Sequence, residues 1–346
     1  MKEMKANIRQ ISEITGFSLA TVSNALNHKK GVNKETAEKI LKTAEELGYR
    51  TGDKINRIRF VIFRRNGKII DESHFHPAVI EGVERQAKAM GFETLFCYVD
   101  IEDPDYDIQL REILFDTQSA VILLGTEMLE EDYEPYTHGK NRIILLDGWS
   151  EEHFFDSVQI DNQDAEEKAV NYLIKKGHKK IGYLRGDFRM HSFRCREEGY
   201  RKAMARHGLS VLPEYIVTVG TKLETAYEGM KARLSQSAEL PTAFVSDNDV
   251  IAIGCMRALK EQGYDIPGDV SVIGFDNVAF GRACDPPLST VHVDKQELGA
   301  RAVREVVSAV ENGQKVNVKI QLSTEFVERN SVKELRESGE DSGKTK

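Results

Sequence analysis

The sequence predicts an α/β chain, with a three-helix helix-turn-helix headpiece at the N-terminus followed by a two-lobed, doubly wound body. Three observations carry this. Within the first 27 residues apolar positions recur at helical spacing and are broken by one Gly-Phe-Ser turn. From residue 58 onward short apolar runs alternate with amphipathic helical stretches. The charge is also split: residues 1–59 carry 12 Lys/Arg against 7 Asp/Glu, the rest 36 against 49, in a chain of net charge −8. A basic end on an acidic body attracts phosphate locally and discourages nonspecific association elsewhere.

In the headpiece, Ile8, Ile11 and Ile14 mark one short helix and Val22, Ala25 and Leu26 a second. Between them lies Thr15-Gly16-Phe17-Ser18, a glycine able to end one helix and a serine able to cap the next. Helices joined so tightly must cross, and the second then presents a small, polar outer side (Ala20, Thr21, Asn24) that fits a DNA major groove. A third helix opens at Val32–Thr36, capped by Asn33, and carries Ile40, Leu41, Ala44 and Leu47 toward a shared core.

The body reads as strands at Ile58–Phe63, Thr94–Val99, Ala120–Leu124, Arg142–Asp147, Val158–Asp161, Lys180–Leu184, Ile216–Val219, Thr242–Ser246 and Val270–Phe275. Helices are expected at Pro77–Met90, Ala165–Lys176, Arg196–His207, Val250–Gln262 and Gln296–Glu311. Such alternation implies parallel sheets covered on both faces. The strands exceed what one sheet usually holds, so two lobes are expected, with a ligand site beyond the strand ends in the cleft between them. Cys97, Cys195, Cys255 and Cys284 have no metal-ligand spacing and read as buried apolar residues in a cytoplasmic protein. No hydrophobic run is long enough to cross a bilayer. Neither a cofactor loop nor a nucleophile motif occurs, so neither an enzyme nor a bound cofactor is expected. His74 and His76 lack a third nearby ligand, and no metal is expected.

The stretches ATVSNALN and VNKETAEKILKTAEELGYR closely resemble the DNA-binding headpiece of the LacI/GalR (lactose-repressor) family. The body resembles the same family's periplasmic-binding-protein-like sensor through VQIDNQDAEEKAVNYLIKKGHKKIGYL, REEGYRKAMARHGL, PTAFVSDNDVIAIGCMRAL, DVSVIGFDN, PPLSTVHVDKQELGARAV and LSTEFVERNSV. The resemblance implies a headpiece at 1–50, a linker at 51–58 and a sensor at 59–332. Its lobes would be 59–159 with 292–322 and 160–291 with 323–332, followed by a charged, disordered tail at 333–346. It also implies a homodimeric regulator, most often a repressor, that binds a near-palindromic DNA operator and responds to a small effector, here expected to be a sugar. A two-lobed sensor acting through a protein partner is the alternative.

For DNA the resemblance and helix geometry together point to Leu19, Ala20 and Asn24 at base edges. Ser18, Thr21, Ser23, Asn27 and His28 would contact phosphates. For the effector, Arg196, Asp276, Asn248 and Asp249 match family positions at strand ends or helix starts, Asp147 closes the strand Arg142–Asp147, and Phe75, His76 and Trp149 would supply flat surfaces. Where relatives carry arginine this chain has Asn24, which suits adenine. The linker departs further: TGDKINRIRF replaces the family's Pro-Asn hinge helix and its minor-groove leucine, leaving only Ile55 as a shortened wedge. Effector binding is therefore expected to change headpiece spacing rather than fold a hinge helix.

Overall fold

The computed structural model describes residues 8–26, 31–47, 55–71, 73–139, 141–236, 239–312 and 316–335. Two compact units are separated after Asn56.

The first contains α1 (Ile8–Thr15), α2 (Leu19–Leu26) and α3 (Lys34–Glu46). Ile11, Val22, Ala25, Leu26, Ile40 and Ala44 bury one another, with Ile8, Phe17, Val32 and Leu41 packed around them. Ile14 departs from the expected stripe: it is 60% exposed, because α1 runs only eight residues and Ile8 and Ile11 already fill its inner face. Gly16 ends α1 at φ 77°, in left-handed space open to glycine, and its N–H returns to the Ser12 carbonyl. Asn33 caps α3 by accepting from the Thr36 N–H at 2.7 Å.

The second unit holds two six-stranded sheets. One is ordered β11-β5-β4-β3-β1-β2 and is parallel throughout; its strands are β1 (Arg57–Arg64), β2 (Glu93–Asp100), β3 (Ser119–Leu124), β4 (Ile143–Leu146), β5 (Asp156–Ile160) and β11 (Lys319–Leu322). The other is ordered β12-β10-β9-β8-β6-β7, from β6 (Ile181–Gly186), β7 (Ile216–Val219), β8 (Ala243–Ser246), β9 (Ser271–Asp276), β10 (Ser289–His292) and β12 (Glu325–Val327). Only its β10–β12 pair is antiparallel. β3, β4 and β9 are buried along their whole length, as strands covered on both faces must be.

Helices α4 (His76–Ala89), α5 (Tyr106–Leu114), α6 (Asn162–Lys175), α7 (His191–Arg206), α8 (Leu223–Leu234), α9 (Asp249–Glu261) and α10 (Lys295–Glu311) supply that cover. The chain passes between the sheets after β5, after β10 and after β11, so each lobe is built from discontinuous segments. α10 returns to the first lobe by lying closely on α4. A Cβ at Gly82 would sit 2.1 Å from the Gln296 carbonyl oxygen, and one at Gly299 would sit 2.2 Å from that of Val79. Glycine at both positions is what permits the approach.

Candidate DNA-reading helix and effector cleft

α2 buries Val22, Ala25 and Leu26 and turns its other side to solvent. There Leu19 is 48% exposed, Ala20 is exposed, and Thr21, Ser23 and Asn24 are half-buried. Ser18 caps the helix: its Oγ accepts from the Thr21 N–H at 3.1 Å and lies 2.9 Å from the Thr21 hydroxyl. Leu19 thus leaves about half of a large apolar side chain in water at the start of a capped, polar-faced helix. Asn27, His28 and the Lys29-Lys30 pair lie outside the described residues.

In the second unit, a cavity of about 420 Å³ opens between the lobes. The first lobe contributes Phe75, His76, Thr126 and Asp147; the second contributes Arg196, Asn248, Asp276 and Phe280. Asp147 and Asp276 each follow or end a buried strand with positive φ, 52° and 103°. Non-glycine residues are rarely held there, and such strain gathers at binding sites.

Arg196 is fixed on three sides. Its Nε donates to Asn162 Oδ1 at 2.9 Å, its Nη1 donates to the Asp247 carbonyl, and its guanidinium lies 3.6 Å from the centre of the Phe275 ring. What remains, Nη2, faces Asp276 Oδ1 at 3.6 Å, beyond hydrogen-bond reach. Asp276 Oδ1 is thus a buried acceptor lacking a hydrogen-bond donor among the described residues. Burial pushes its carboxyl upward against the pull of Arg196 and Lys295.

Across the cleft Asp147 accepts from the Thr126 hydroxyl at 2.8 Å, and Thr126 in turn lies 3.1 Å from His76 Nε2. Burial raises Asp147 to about 6 and lowers His76 to about 4, so His76 is neutral near pH 7. Nδ1 of His76 also has no hydrogen-bond partner among the described residues.

Two expected contacts fall elsewhere. Asp249 is buried and does not line the cleft: its carboxylate accepts from the Thr290 hydroxyl at 2.6 Å and the Val278 N–H at 2.7 Å, tying α9 to β10 and to the turn after β9. Trp149 also faces away. It stacks on His191 with 5.6 Å between ring centres, has Lys319 Nζ 3.5 Å from its ring centre, and lines a separate hollow beside Gln159 and Gln321. Just before it Gly148 packs against Gly125, where a Cβ would come within 3.1 Å of its Cα, and the Trp149 N–H donates to the Tyr133 hydroxyl at 3.0 Å. Asn248 does line the cleft, but its Oδ1 is occupied in capping α9 through the Ile251 N–H at 2.9 Å.

Sequence reasoning missed Thr126, Ser192 and Lys295. Ser192 approaches Asp147 Oδ1 at 3.5 Å, and Lys295 donates to the Asp276 carbonyl and lies 5.7 Å from the centre of the Phe75 ring. The strand-end rule that singled out Asp147 also marks Thr126, two residues past β3.

A helix-turn-helix unit on a chain with a two-lobed, ligand-sized cleft defines a DNA-binding regulator with a small-molecule sensor, not an enzyme. Residues 7–52 match the model of bacterial regulatory proteins of the lacI family, and residues 170–332 match a periplasmic binding protein-like domain. The HTH-type transcriptional repressor PurR of Pasteurella multocida is 28% identical over 95% of this chain and 99% of its own length. PurR of Vibrio campbellii is 28% identical over the same shares. Among solved structures, the lac repressor dimer bound to operator and the anti-inducer ONPF is similar in fold, with TM-score 0.70 and 21% identity over 95% of this chain and all of that one. A LacI family regulator from Enterococcus faecium with bound ribose gives 0.66 and 22% over 80% of this chain and all of that one. No helix among the described residues is long and apolar enough to cross a membrane.

Proposed function

We propose that this chain is a homodimeric transcriptional repressor whose operator affinity is set by a neutral polyol, most simply a sugar, bound between the lobes. The observation that carries the effector class is the buried, donor-less Oδ1 of Asp276 beside the fixed Arg196. A ligand hydroxyl satisfies both: it donates to the carboxylate and accepts from Nη2, relieving an unpaired buried acceptor. Asp147 offers a second acceptor from the opposite lobe, so one ligand with several hydroxyls bridges the cleft and favours closure. Phe75 and Phe280 supply apolar surface for the sugar's C–H face. Those same rings, with His74 lying 4.9 Å from Phe280, favour a nucleobase as the second reading.

The repressor sense is supported by the curated relatives, which are named as repressors. Leu19, Ala20 and Asn24 would meet base edges, and Thr21 and Ser23 phosphates. Ser18 would add a phosphate contact to its capping role.

Arg196→Ala and Asp276→Ala are expected to leave operator affinity within about threefold of the parent while abolishing the ligand response. Gel shifts with genomic fragments, in the presence of sugar and nucleoside panels, provide the check. A normal response in both variants removes the pocket assignment.

A further inference from the structure

Between β1 and α4 the chain makes a detour whose shape is dictated by one fully buried side chain, Glu127. Oε2 of Glu127 accepts from the main-chain N–H of Arg65 (2.9 Å), Asn66 (3.1 Å) and Gly67 (3.0 Å). Oε1 accepts from those of Ile69 (2.8 Å) and Ile70 (2.9 Å). Five amide dipoles on one carboxylate offset its lost hydration, as backbone nests do for bound anions. Gly67 sits at φ +66°, and a Cβ there would come within 2.1 Å of Asp71 Oδ2. Asp71 closes the far end by taking paired bonds from Arg64 at 3.1 and 2.9 Å.

This strap belongs to the first lobe through Glu127, yet its outer edge is docked on the second. Lys68 Nζ meets Asp187 Oδ2 at 2.7 Å, the Thr221 hydroxyl donates to the Lys68 carbonyl at 3.0 Å, and Ile69 packs against the second lobe's core. Lys68, Ile69 and Asp71 also line the cleft.

We propose that residues 65–71 are an inter-lobe latch: a strap moulded on Glu127 that ties the lobes across the cleft and forms one wall of the effector's site. The second clause rests on reading the cleft as the effector site; the first does not. Because the strap touches both lobes, whatever loosens it changes how readily they part, and its side chains limit the size of ligand the cleft admits.

The test is zero-length carbodiimide coupling of the full-length protein without ligand, read by peptide mass spectrometry. The reagent joins an amine to a carboxylate only where they touch. Lys180 and Glu239, 2.6 Å apart within the second lobe, serve as the internal standard. The expected result is a Lys68–Asp187 isopeptide at a yield within about threefold of the Lys180–Glu239 one. In Glu127→Gln, whose amide N–H₂ cannot accept from the strap, the Lys68–Asp187 yield falls at least fivefold while the standard is unchanged. Gly67→Ala gives the same loss if Glu127→Gln fails to fold. A standard that forms without the Lys68–Asp187 link overturns the latch, as does an unchanged ratio in the variant used. Since no ligand enters this measurement, its failure is distinct from that of the effector reading, which is decided by Arg196→Ala and Asp276→Ala.

Discussion

Asp147 and Asp276 face each other from strand ends in conformations that non-glycine residues rarely keep, and Oδ1 of Asp276 lacks a hydrogen-bond donor among the described residues. That combination is costly for folding and useful for binding. Its price shows in the pH dependence of stability. Asp147 titrates near 6 in the folded chain against 3.8 ordinarily, so the folded state holds the proton longer than the unfolded one. The contribution is fully present below about pH 4 and is lost as pH rises through 6. Asp147→Asn is expected to gain on the parent between pH 4 and 7, by no more than about 3 kcal/mol for a rise from 3.8 to about 6. Urea unfolding of both chains at the two pH values checks this; a constant difference contradicts it. His76, held near 4, acts in the opposite sense: its contribution is present above its ordinary 6.5 and is lost as pH falls toward 4, so it is common to both chains and cancels in the comparison.

Site legibility follows the same scale. Arg196, Asp276, Asp147, Asn248, Phe75 and His76 line the cleft, and each was legible from a family position or, for Asp147, from closing a strand. Trp149 does not, and nothing in the spacing reveals its stacking on His191 and Lys319 instead. Asp249 sits in a matching motif but spends both oxygens on Thr290 and Val278. Glu127 was invisible for another reason: its partners are main-chain amides, which leave no pattern of residue types.

At the scale of elements, each apolar run read as a strand from Ile58 to Phe275 coincides with one of β1 to β9, because a doubly wound sheet forces near-continuous apolar runs. α5 and α8 escaped notice: YDIQLREIL and LETAYEGMKARL lie outside the quoted family stretches. β11 and β12 escaped as short strands with mostly half-buried or exposed residues.

β2 raises a different question. It is the edge of its sheet, and it leaves Leu95, Phe96 and Tyr98 at 40%, 40% and 64% exposure. Exposed apolar residues on an open edge are a liability unless a partner covers them. With a second copy as that partner, Tyr98→Asp is expected to shift the protein from dimer to monomer and to weaken operator binding at least tenfold. Analytical ultracentrifugation and gel shift check the two halves. A variant that stays dimeric would place the interface elsewhere.

For the whole molecule, coupling between cleft and DNA must pass through a short connection. Residues 51–54 of the linker lie outside the described residues, and Ile55 and Asn56 precede β1 without helical structure. Among the described residues, Ile55 is outside any helix that could hold it as a minor-groove wedge. Circular-permutation gels are expected to show at most a modest bend, unchanged in Ile55→Ala; a strong kink lost in that variant contradicts it.

The most direct measurement is selection of bound sequences from a random duplex library by the full-length protein, repeated across salt concentrations. If α2 reads bases from a two-fold pair of headpieces, the selected sites converge on a near-palindrome with adenine opposite Asn24. Their advantage over random duplex then persists as salt rises. Binding that is equal for every duplex, and that disappears uniformly with salt, contradicts sequence-specific regulation by this chain.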